Sequence, residues 1–438
     1  MSIEHALAVL GARGESQSRS GPDSLQGSAG SSAVAAATVD AEERLARREE
    51  ATVRRRRQRR RRRYLLVVGV VAILLAPAIY SYVATMLQPS SLPLGVRSVE
   101  WLRSHHGNWL VDEAEHYYYS WKAPRKGGPQ LTSLPSVGLA PTTTARAAAE
   151  RARARLDVWP PRIRPVFAHA LPGEGIWKRT GPLVRGRPPV LVTTFRTERD
   201  YPSIVAYVAW FDHVRTALAF YPGRYEPPNA PIRGPMSVPH GERWRLLASF
   251  NGGFTYIDGH NGSSIDGRTY EPLQDGLATL IGYRDGRVDI RTWRGGPNAG
   301  PGVAFARQSL PLIVRNGRLN PALNDSSQWG ATLGNAVRVW RTGVGIDRRG
   351  NLIYAAANYQ TVITLAQILK RAGAVRAMQF DINPEWPSLI TYAHRRGLDP
   401  VKVVPNVMQA ATRYLVPDDR DFFAVYRRLP GAVTVPFK

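Results

Sequence analysis

Cysteine is absent from the 438 residues of this chain. Without cysteine the protein can form no disulfide, no thiolate metal site and no cysteine nucleophile. Acidic residues are also scarce, with 34 Asp and Glu against 59 Lys and Arg. A folded domain in this chain must therefore be stabilised by its core, and its surface carries an excess of positive charge.

The positive charge is spread along the chain. The formal net charge is +25, of which residues 1–63 contribute +6 and residues 88–438 contribute +19. A long basic segment attracts anionic partners. We therefore expect the partners of the C-terminal part to be anionic.

Charged side chains are missing from residues 64–87, YLLVVGVVAILLAPAIYSYVATML. A helix of this length exceeds what is needed to cross a hydrocarbon core of roughly 30 Å. Nine arginines lie within residues 54–63, where they would contact anionic lipid on the cytoplasmic side. The sequence predicts a single-pass membrane anchor with a cytoplasmic N-terminus and an extracytoplasmic C-terminal domain.

Three alternatives compete with this anchor. A buried core helix rarely lacks charge over so long a stretch, and a cleaved signal peptide is usually shorter and lies at the extreme N-terminus. The arginine run could bind nucleic acid. Because the run directly adjoins the apolar segment, contact with lipid explains it more simply, and we expect no nucleic-acid partner.

Composition divides the chain into four segments. Residues 1–63 are predicted to be a disordered basic cytoplasmic tail, since their first part has few large apolar side chains to bury. Residues 64–87 form the predicted transmembrane helix, and residues 88–165 form a partly helical stalk and linker. Residues 166–438 have the sequence pattern of a globular domain, and this domain is predicted to be extracytoplasmic.

Short apolar or alternating runs recur from residue 166 onward, separated by turn signals. The segments 283–287 and 347–351 predict hairpins. One amphipathic helix is expected at 364–373, with Thr364 and Gln367 forming a capping box. The pattern predicts an α+β fold, a strand-rich mixed sheet domain with a few packed helices, preceded by a single transmembrane helix.

Several common catalytic motifs are missing from the sequence. It contains no HExxH, Walker A or GxSxG motif, and no dinucleotide-binding glycine motif in a strand–turn–helix context. The nine histidines do not cluster at metal-ligand spacing. The sequence identifies no cofactor and no metal site, although it does not exclude a divalent metal.

Polar residues follow an apolar run in RAMQFDINPEW, residues 376–386. The run ends at Asp381, and Asn383, Glu385 and Trp386 come next. Carboxylates at the end of a buried strand can have raised pKa values and act as acid, base or nucleophile. Alternatively, Pro384 and Pro387 shape a turn whose acids pair with nearby arginines.

Other polar groups also stand at the ends of apolar runs. Asn251 is followed by Gly252 and Gly253, which permit a close backbone approach. Arg341 opens a strand-like run and offers a planar guanidinium suited to phosphate. Residues 394–397, HRRG, could hold an anion. The alternatives are a solvated turn at 251–253, a surface salt bridge for Arg341 and a solvated loop at 394–397.

The order of these motifs resembles the phosphodiester glycosidase family. The similarity covers residues 245–392, with DINPEW standing where the family has DGGGS. The motifs that carry it are NGGF at 251–254, LPLIVRNG at 310–317, RTGVGID at 341–347, TLAQILKRAGA at 364–374 and MQFDINPEW at 378–386.

The resemblance implies a sugar-phosphate diester as ligand. It would place Arg341 on the phosphoryl oxygens, and Asn251 with the backbone of Gly252 and Gly253 on the sugar or phosphate. Asp381 would act at the anomeric centre or orient the attacking water.

The departure from the glycine motif implies a change in this site. Ile and Pro do not allow the close backbone approach that three glycines allow, so either the substrate or the catalytic geometry differs from the family's. Glu385 would supply a second carboxylate, Trp386 a stacking face for a sugar ring and Asn383 a further substrate contact.

Together these features predict a membrane-anchored extracytoplasmic hydrolase. It would cleave a glycosyl phosphodiester, a sugar-1-phosphate linkage, in an envelope glycopolymer or glycolipid. Two other classes fit the same sequence. One is a non-catalytic binding module for anionic cell-wall polymer, and the other is an envelope scaffold protein.

Overall fold

The structure is a computed structural model of the chain. It describes residues 31–90, 92–139, 160–228, 230, 233–259, 261–324, 329–330, 338–405, 407 and 409–429. The chain divides into two units, residues 1–81 and residues 82–438. The predictions made for residues 1–30 and 140–159 lie outside the described residues.

The elements of the described part are numbered in chain order. The helices are α1 Ser31–Leu87, α2 Leu94–Ser104, α3 Asn108–Lys122, α4 Tyr256–Gly259 and α5 Val362–Arg371. The strands are β1 Lys178–Arg179, β2 Val190–Arg196, β3 Val205–Phe211, β4 Thr216–Tyr221, β5 Leu246–Asn251, β6 Ser263–Ile265, β7 Arg268–Glu271, β8 Ala278–Tyr283, β9 Val288–Thr292, β10 Val303–Ser309, β11 Val314–Arg315, β12 Arg318–Leu319, β13 Val339–Ile346, β14 Leu352–Gln360, β15 Arg376–Gln379, β16 Leu389–Tyr392, β17 Pro400–Lys402 and β18 Phe422–Arg427.

Helix α1 extends further upstream than the sequence predicted. It begins at Ser31 and runs to Leu87, whereas disorder was expected up to residue 63. Ala, Glu and Arg dominate this stretch, and all three are strong helix formers, which explains the early start. The segment Glu50–Leu87 is long and apolar enough to cross a membrane. Pro77 lies inside this helix.

Three sheets form the body of the second unit. The first has the strand order β1-β2-β3-β14-β13-β15-β11-β12, the second β7-β6-β10-β8-β9 and the third β17-β16-β5-β18-β4. Every strand pairing within the described residues is antiparallel. The predicted α+β class, with many strands and few helices, is confirmed.

Both predicted hairpins are confirmed. Strands β8 and β9 pair with Gly282 opposite Val288, and β13 and β14 pair with Ile346 opposite Leu352. The second turn is stabilised by Asp347, whose Oδ1 accepts from the backbone N–H groups of Arg349 at 2.8 Å and Asn351 at 2.9 Å. Local turn chemistry thus fixes the register of these strands.

The largest apolar core is shared by all three sheets. Phe250 of the third sheet stacks near Phe211 and Tyr354 of the first, while Phe305 of the second sheet packs near Phe423 of the third. Rings with these spacings form closely packed aromatic pairs. The core holds the strand ends of different sheets next to one another.

Helix α5 packs on the opposite face of the first sheet. Thr361 caps it, since its side chain accepts from the backbone N–H of Thr364 at 3.2 Å and the Thr364 hydroxyl accepts from the backbone N–H of Thr361 at 2.9 Å. The predicted box of Thr364 with Gln367 is therefore wrong, because the helix begins at Val362. Its apolar face joins the second core cluster.

The predicted stalk packs against the sheets. Leu92, just before α2, and Val96, in its first turn, cluster with Trp386. Tyr119 of α3 clusters with Phe254 and other core residues. The second unit begins at Tyr82. The apolar side chains of α2 and α3 cover part of the domain surface, which the sequence pattern of a linker did not indicate.

Candidate active site

Asp381 lies just beyond the end of β15, in the position predicted for it. Its Oδ1 accepts from the backbone N–H of Asn383 at 2.9 Å, and its Oδ2 accepts from Nη2 of Arg420 at 2.8 Å. Burial raises the pKa of Asp381, while Arg420 opposes that rise. Arg420 precedes β18, so the pair joins a strand end of the first sheet to one of the third.

The DINPEW segment forms consecutive turns. The side chain of Asn383 accepts from the backbone N–H of Glu385 at 3.0 Å, and the Asn383 carbonyl accepts from the N–H of Trp386 at 3.1 Å. These are the local side-chain-to-backbone bonds that Asp and Asn make in turns. Asn383 therefore shapes the backbone of the site.

Glu385 lies in a cluster of charges with helices α2 and α3. Its Oε2 is 3.6 Å from Nη1 of Arg103, which also contacts Glu100 and Glu115. Burial raises the pKa of Glu385 to about 8, with Arg103 opposing the rise and the two other acids adding to it. Below that pH Glu385 carries a proton, which is unusual for a carboxyl group.

Trp386 is buried, although the sequence analysis interpreted it as an exposed stacking face. Only 2% of its surface is accessible, because Leu92 and Val96 cover it. The guanidinium carbons of Arg420 and Arg413 lie 4.7 Å and 5.2 Å from its ring centroid. Its indole nitrogen has no hydrogen-bond partner among the described residues.

Asn251 and Gly252 join strands of different sheets. The Asn251 Oδ1 accepts from the hydroxyl of Tyr354 at 2.6 Å, and its Nδ2 donates to Thr342 Oγ1 at 3.1 Å. A side chain at Gly252 would lie 2.0 Å from Oδ1 of Asp421. The predicted close backbone approach is thus made to a carboxylate of the protein itself, and Gly253 lies beside the guanidinium of Arg307.

Arg341 lies apart from these groups. Its Nε donates to the carbonyl of Gln360 at 3.0 Å, and its Nη1 donates to Oε1 of Gln379 at 2.8 Å. Burial lowers the pKa of Arg341 to about 10. The guanidinium forms no ion pair with a carboxylate in the described part of the chain. Arg341 also does not line the cavity of about 370 Å³ that Arg420 lines.

The sequence analysis missed a buried ion pair beside Gly252. Nε of Arg307 donates to Oδ2 of Asp421 at 2.5 Å, and the Tyr256 hydroxyl donates to the same oxygen at 2.9 Å. Glu226 accepts from the backbone N–H of Tyr256 at 3.2 Å. The charged run DDRD directly before the apolar β18 was the signal that could have revealed Asp421 and Arg420.

A cavity of about 370 Å³ is lined in part by Arg420, Trp386 and Glu226. Arg420 and Trp386 form part of one wall, and the chain between β4 and β5 contributes Glu226. Burial raises the pKa of Glu226, with Arg420 opposing the rise. Three guanidiniums and three carboxylates meet there, a combination suited to binding a phosphate ester and transferring protons. The lining residues that carry a charge are Arg97, Glu100, Arg224, Glu226, Asp419 and Arg420.

The described residues contain no group of three or more His, Asp or Glu side chains able to hold a metal ion. The HRRG segment at 394–397 forms a tight turn, in which Asp399 Oδ2 accepts from the backbone N–H groups of Arg395 at 2.5 Å and Arg396 at 2.7 Å. Its two exposed arginines lie outside the cavity.

The second unit is thus an α+β domain with a cavity lined by three guanidiniums and three carboxylates. Residues 245–381 match the family model described as phosphodiester glycosidase. The resemblance seen in the sequence motifs is thereby confirmed: this part of the chain is similar to the phosphodiester glycosidase family.

Solved structures and curated proteins were also compared with the chain. The catalytic domain of zebrafish N-acetylglucosamine-1-phosphodiester α-N-acetylglucosaminidase, auto-inhibited by its pro-peptide, is 16% identical with a TM-score of 0.37, over 57% of this chain and 87% of that one. A hypothetical protein from Synechocystis is 12% identical with a TM-score of 0.30, over 57% of this chain and 64% of that one. No curated protein matches the chain.

Proposed function

We propose that this protein is a membrane-anchored extracytoplasmic hydrolase of glycosyl phosphodiesters, acting on an envelope glycopolymer or glycolipid. The observation that carries the proposal is the cavity of about 370 Å³ that Arg420, Glu226 and Asp419 line together. It lies in the unit that contains the family match at residues 245–381. The apolar segment within Glu50–Leu87 supports the anchor.

The reaction breaks the bond between the anomeric carbon and the phosphate oxygen. Water adds its hydroxyl to the sugar, and the phosphate leaves as a monoester with its own negative charge. Such a leaving group needs a cation more than a proton donor, and a buried guanidinium meets that need. Arg420 is the residue that we assign to this role.

A carboxylate must accept the proton of the attacking water. Glu226 lines the cavity, and burial raises its pKa, which makes it a stronger base near neutral pH. Asp381 would act by positioning Arg420, because its carboxylate binds Nη2 of that arginine at 2.8 Å. Glu385 lies 3.6 Å from Arg103 of α2 and would act by helping to hold that helix in place.

The test measures turnover by the full chain in detergent. Synthetic sugar 1-phosphate diesters that differ in their sugar are incubated with wild type, Arg420→Ala, Arg420→Lys and Glu226→Gln. We expect Arg420→Ala to lower kcat/KM by roughly 100-fold or more, and Arg420→Lys to lower it less because the charge remains. Release of the reducing sugar is the measurement.

Arg318→Ala provides the matched control, because Arg318 is exposed on the β11–β12 hairpin. It should leave turnover unchanged. Full activity in Arg420→Ala would overturn the site assignment. Binding of the diesters without turnover of any of them would overturn the hydrolase and favour the binding module.

A further inference from the structure

A second and larger cavity lies at the opposite ends of the strands that form the candidate active site. Its volume is about 830 Å³. Asp421 precedes β18 beside the first site, and Arg428, which follows β18, lines the second cavity. These two residues are seven positions apart, roughly 23 Å along a strand. The cavity is therefore separate from the groups assigned to hydrolysis.

Arginine dominates the lining of this second cavity. Seven arginines line it together with His213, against two aspartates. Guanidiniums bind phosphate through paired, charge-assisted hydrogen bonds, and a concave surface lined by one sign of charge concentrates the opposite sign. The seven are Arg185, Arg287, Arg291, Arg348, Arg349, Arg376 and Arg428.

The two aspartates are bound to other groups. Asp347 accepts from the backbone of its own turn and from the indole N–H of Trp210 at 3.2 Å. Asp289 pairs with Arg376. No carboxylate in the described part of the chain forms an ion pair with Arg291 or Arg348, both of which are exposed. The guanidiniums of Arg291 and Arg348 are thus available to a ligand.

Other arginines of the cavity are held in place by backbone carbonyls. Nε of Arg428 donates to the carbonyl of Thr216 at 3.0 Å, and its Nη2 donates to that of Gly286 at 2.5 Å. Nε of Arg376 donates to the carbonyl of Ile290 at 2.7 Å. Fixed guanidiniums lose less conformational freedom when they bind a ligand.

Part of the lining is apolar. It comes from side chains of the central core at the strand ends, and a cavity of this size holds an organic group as well as a phosphate. The apolar lining residues include Phe211, Leu218, Ile346, Leu352 and Val425.

We propose that this cavity is a second binding site, for a phosphate ester whose apolar portion contacts the core side chains and whose phosphate contacts Arg291 and Arg348. The ester can be a free small molecule or a group on a larger envelope molecule, since the phosphate chemistry is the same. The inference does not rest on the proposed hydrolase, because no residue of the first cavity takes part.

The test measures binding of 1-naphthyl phosphate to the full chain in detergent by calorimetry. It uses an Arg420→Ala background, so that binding at the first cavity is weakened, and compares two variants that each remove two exposed arginines. Arg291→Ala with Arg348→Ala should weaken binding at least about tenfold, because two charge-assisted contacts are lost. Arg395→Ala with Arg396→Ala, outside both cavities, should change it less than about twofold.

Two further probes identify what the cavity recognises. Inorganic phosphate should bind more weakly than 1-naphthyl phosphate, since it lacks the apolar part. A phosphodiester-linked polymer that competes with 1-naphthyl phosphate would show that the natural ester belongs to a larger molecule, and failure to compete would show a small one. Equal weakening in the two double variants, or equal affinity for inorganic phosphate, would overturn the proposal.

Discussion

At the scale of single residues, Arg420 connects most of the groups around the candidate active site. It binds Asp381, its guanidinium lies 4.7 Å from the ring centroid of Trp386, and it lines the cavity with Glu226. Asn251 and Gly252 make contacts within the protein. The residues proposed to act on a substrate, Arg420 and Glu226, are therefore different from Asn251, Gly252 and Arg341, which the sequence motifs placed around it.

Glu385 provides a prediction about pH. The unfolded chain releases this proton near pH 4.5, whereas the folded chain releases it near pH 8. Between these values the folded state binds more protons, so raising the pH lowers the free energy of unfolding. We expect the Tm of wild type to fall more than that of Glu385→Gln between about pH 5 and about pH 8, as measured by thermal unfolding.

Glu113→Gln is the control for this comparison, because Glu113 is exposed on α3. Its Tm should follow that of wild type over the same pH range. Parallel curves for wild type and Glu385→Gln would show that Glu385 titrates as an ordinary surface acid.

At the scale of elements, helix α2 covers the segment that follows Asp381. Val96 and Leu92 pack on Trp386, and Arg103 contacts Glu385. The same helix contributes Arg97 and Glu100 to the cavity of about 370 Å³. Access to this cavity therefore depends on how firmly α2 is held.

Val96→Asp should release α2 from the domain. A charge placed at this position, which is 2% exposed, is destabilising unless the helix moves into solvent. Hydrogen exchange should then rise in peptides covering 94–104 and 383–388 and remain unchanged in 422–427. Leu94→Asp places the same charge on an exposed position of α2 and should alter neither. Unchanged hydrogen exchange at 383–388 in Val96→Asp would contradict the packing of α2 on this segment.

The strands and hairpins could be predicted from the sequence because their signals are local. Alternation and turn residues indicate β8, β9, β13 and β14, and the amphipathic pattern indicates α5. The packing of α2 on Trp386 depends on contacts between residues nearly 300 positions apart, which local patterns do not contain. The run DDRD before β18 marks Arg420 as a candidate, but its contact with Asp381 joins separate loops and is likewise not contained in local patterns.

At the scale of the whole molecule, the chain combines an apolar helical segment with a basic domain that has two charged cavities. The cavities lie at opposite ends of shared strands. A substitution in one cavity should therefore have little effect on the other cavity. A large positive net charge outside a membrane would retain anionic polymers near both.

The proposed orientation predicts how tags at the two termini respond to protease. In spheroplasts that express the full chain, external protease should remove a C-terminal tag and spare an N-terminal tag. Lysed spheroplasts, in which both tags should be lost, are the control. Loss of the N-terminal tag in intact spheroplasts, or release of the protein by alkaline carbonate, would contradict the anchor.

The proposed hydrolase cleaves between the anomeric carbon and oxygen, and turnover in water enriched in oxygen-18 distinguishes this cleavage from attack at phosphorus. Mass spectrometry of the products locates the label. We predict that the label enters the anomeric hydroxyl of the released sugar and not the phosphate monoester, and that Arg420→Ala slows its incorporation. Label in the phosphate would show attack at phosphorus and would contradict a glycosidase. If neither product carried label, hydrolysis would be contradicted.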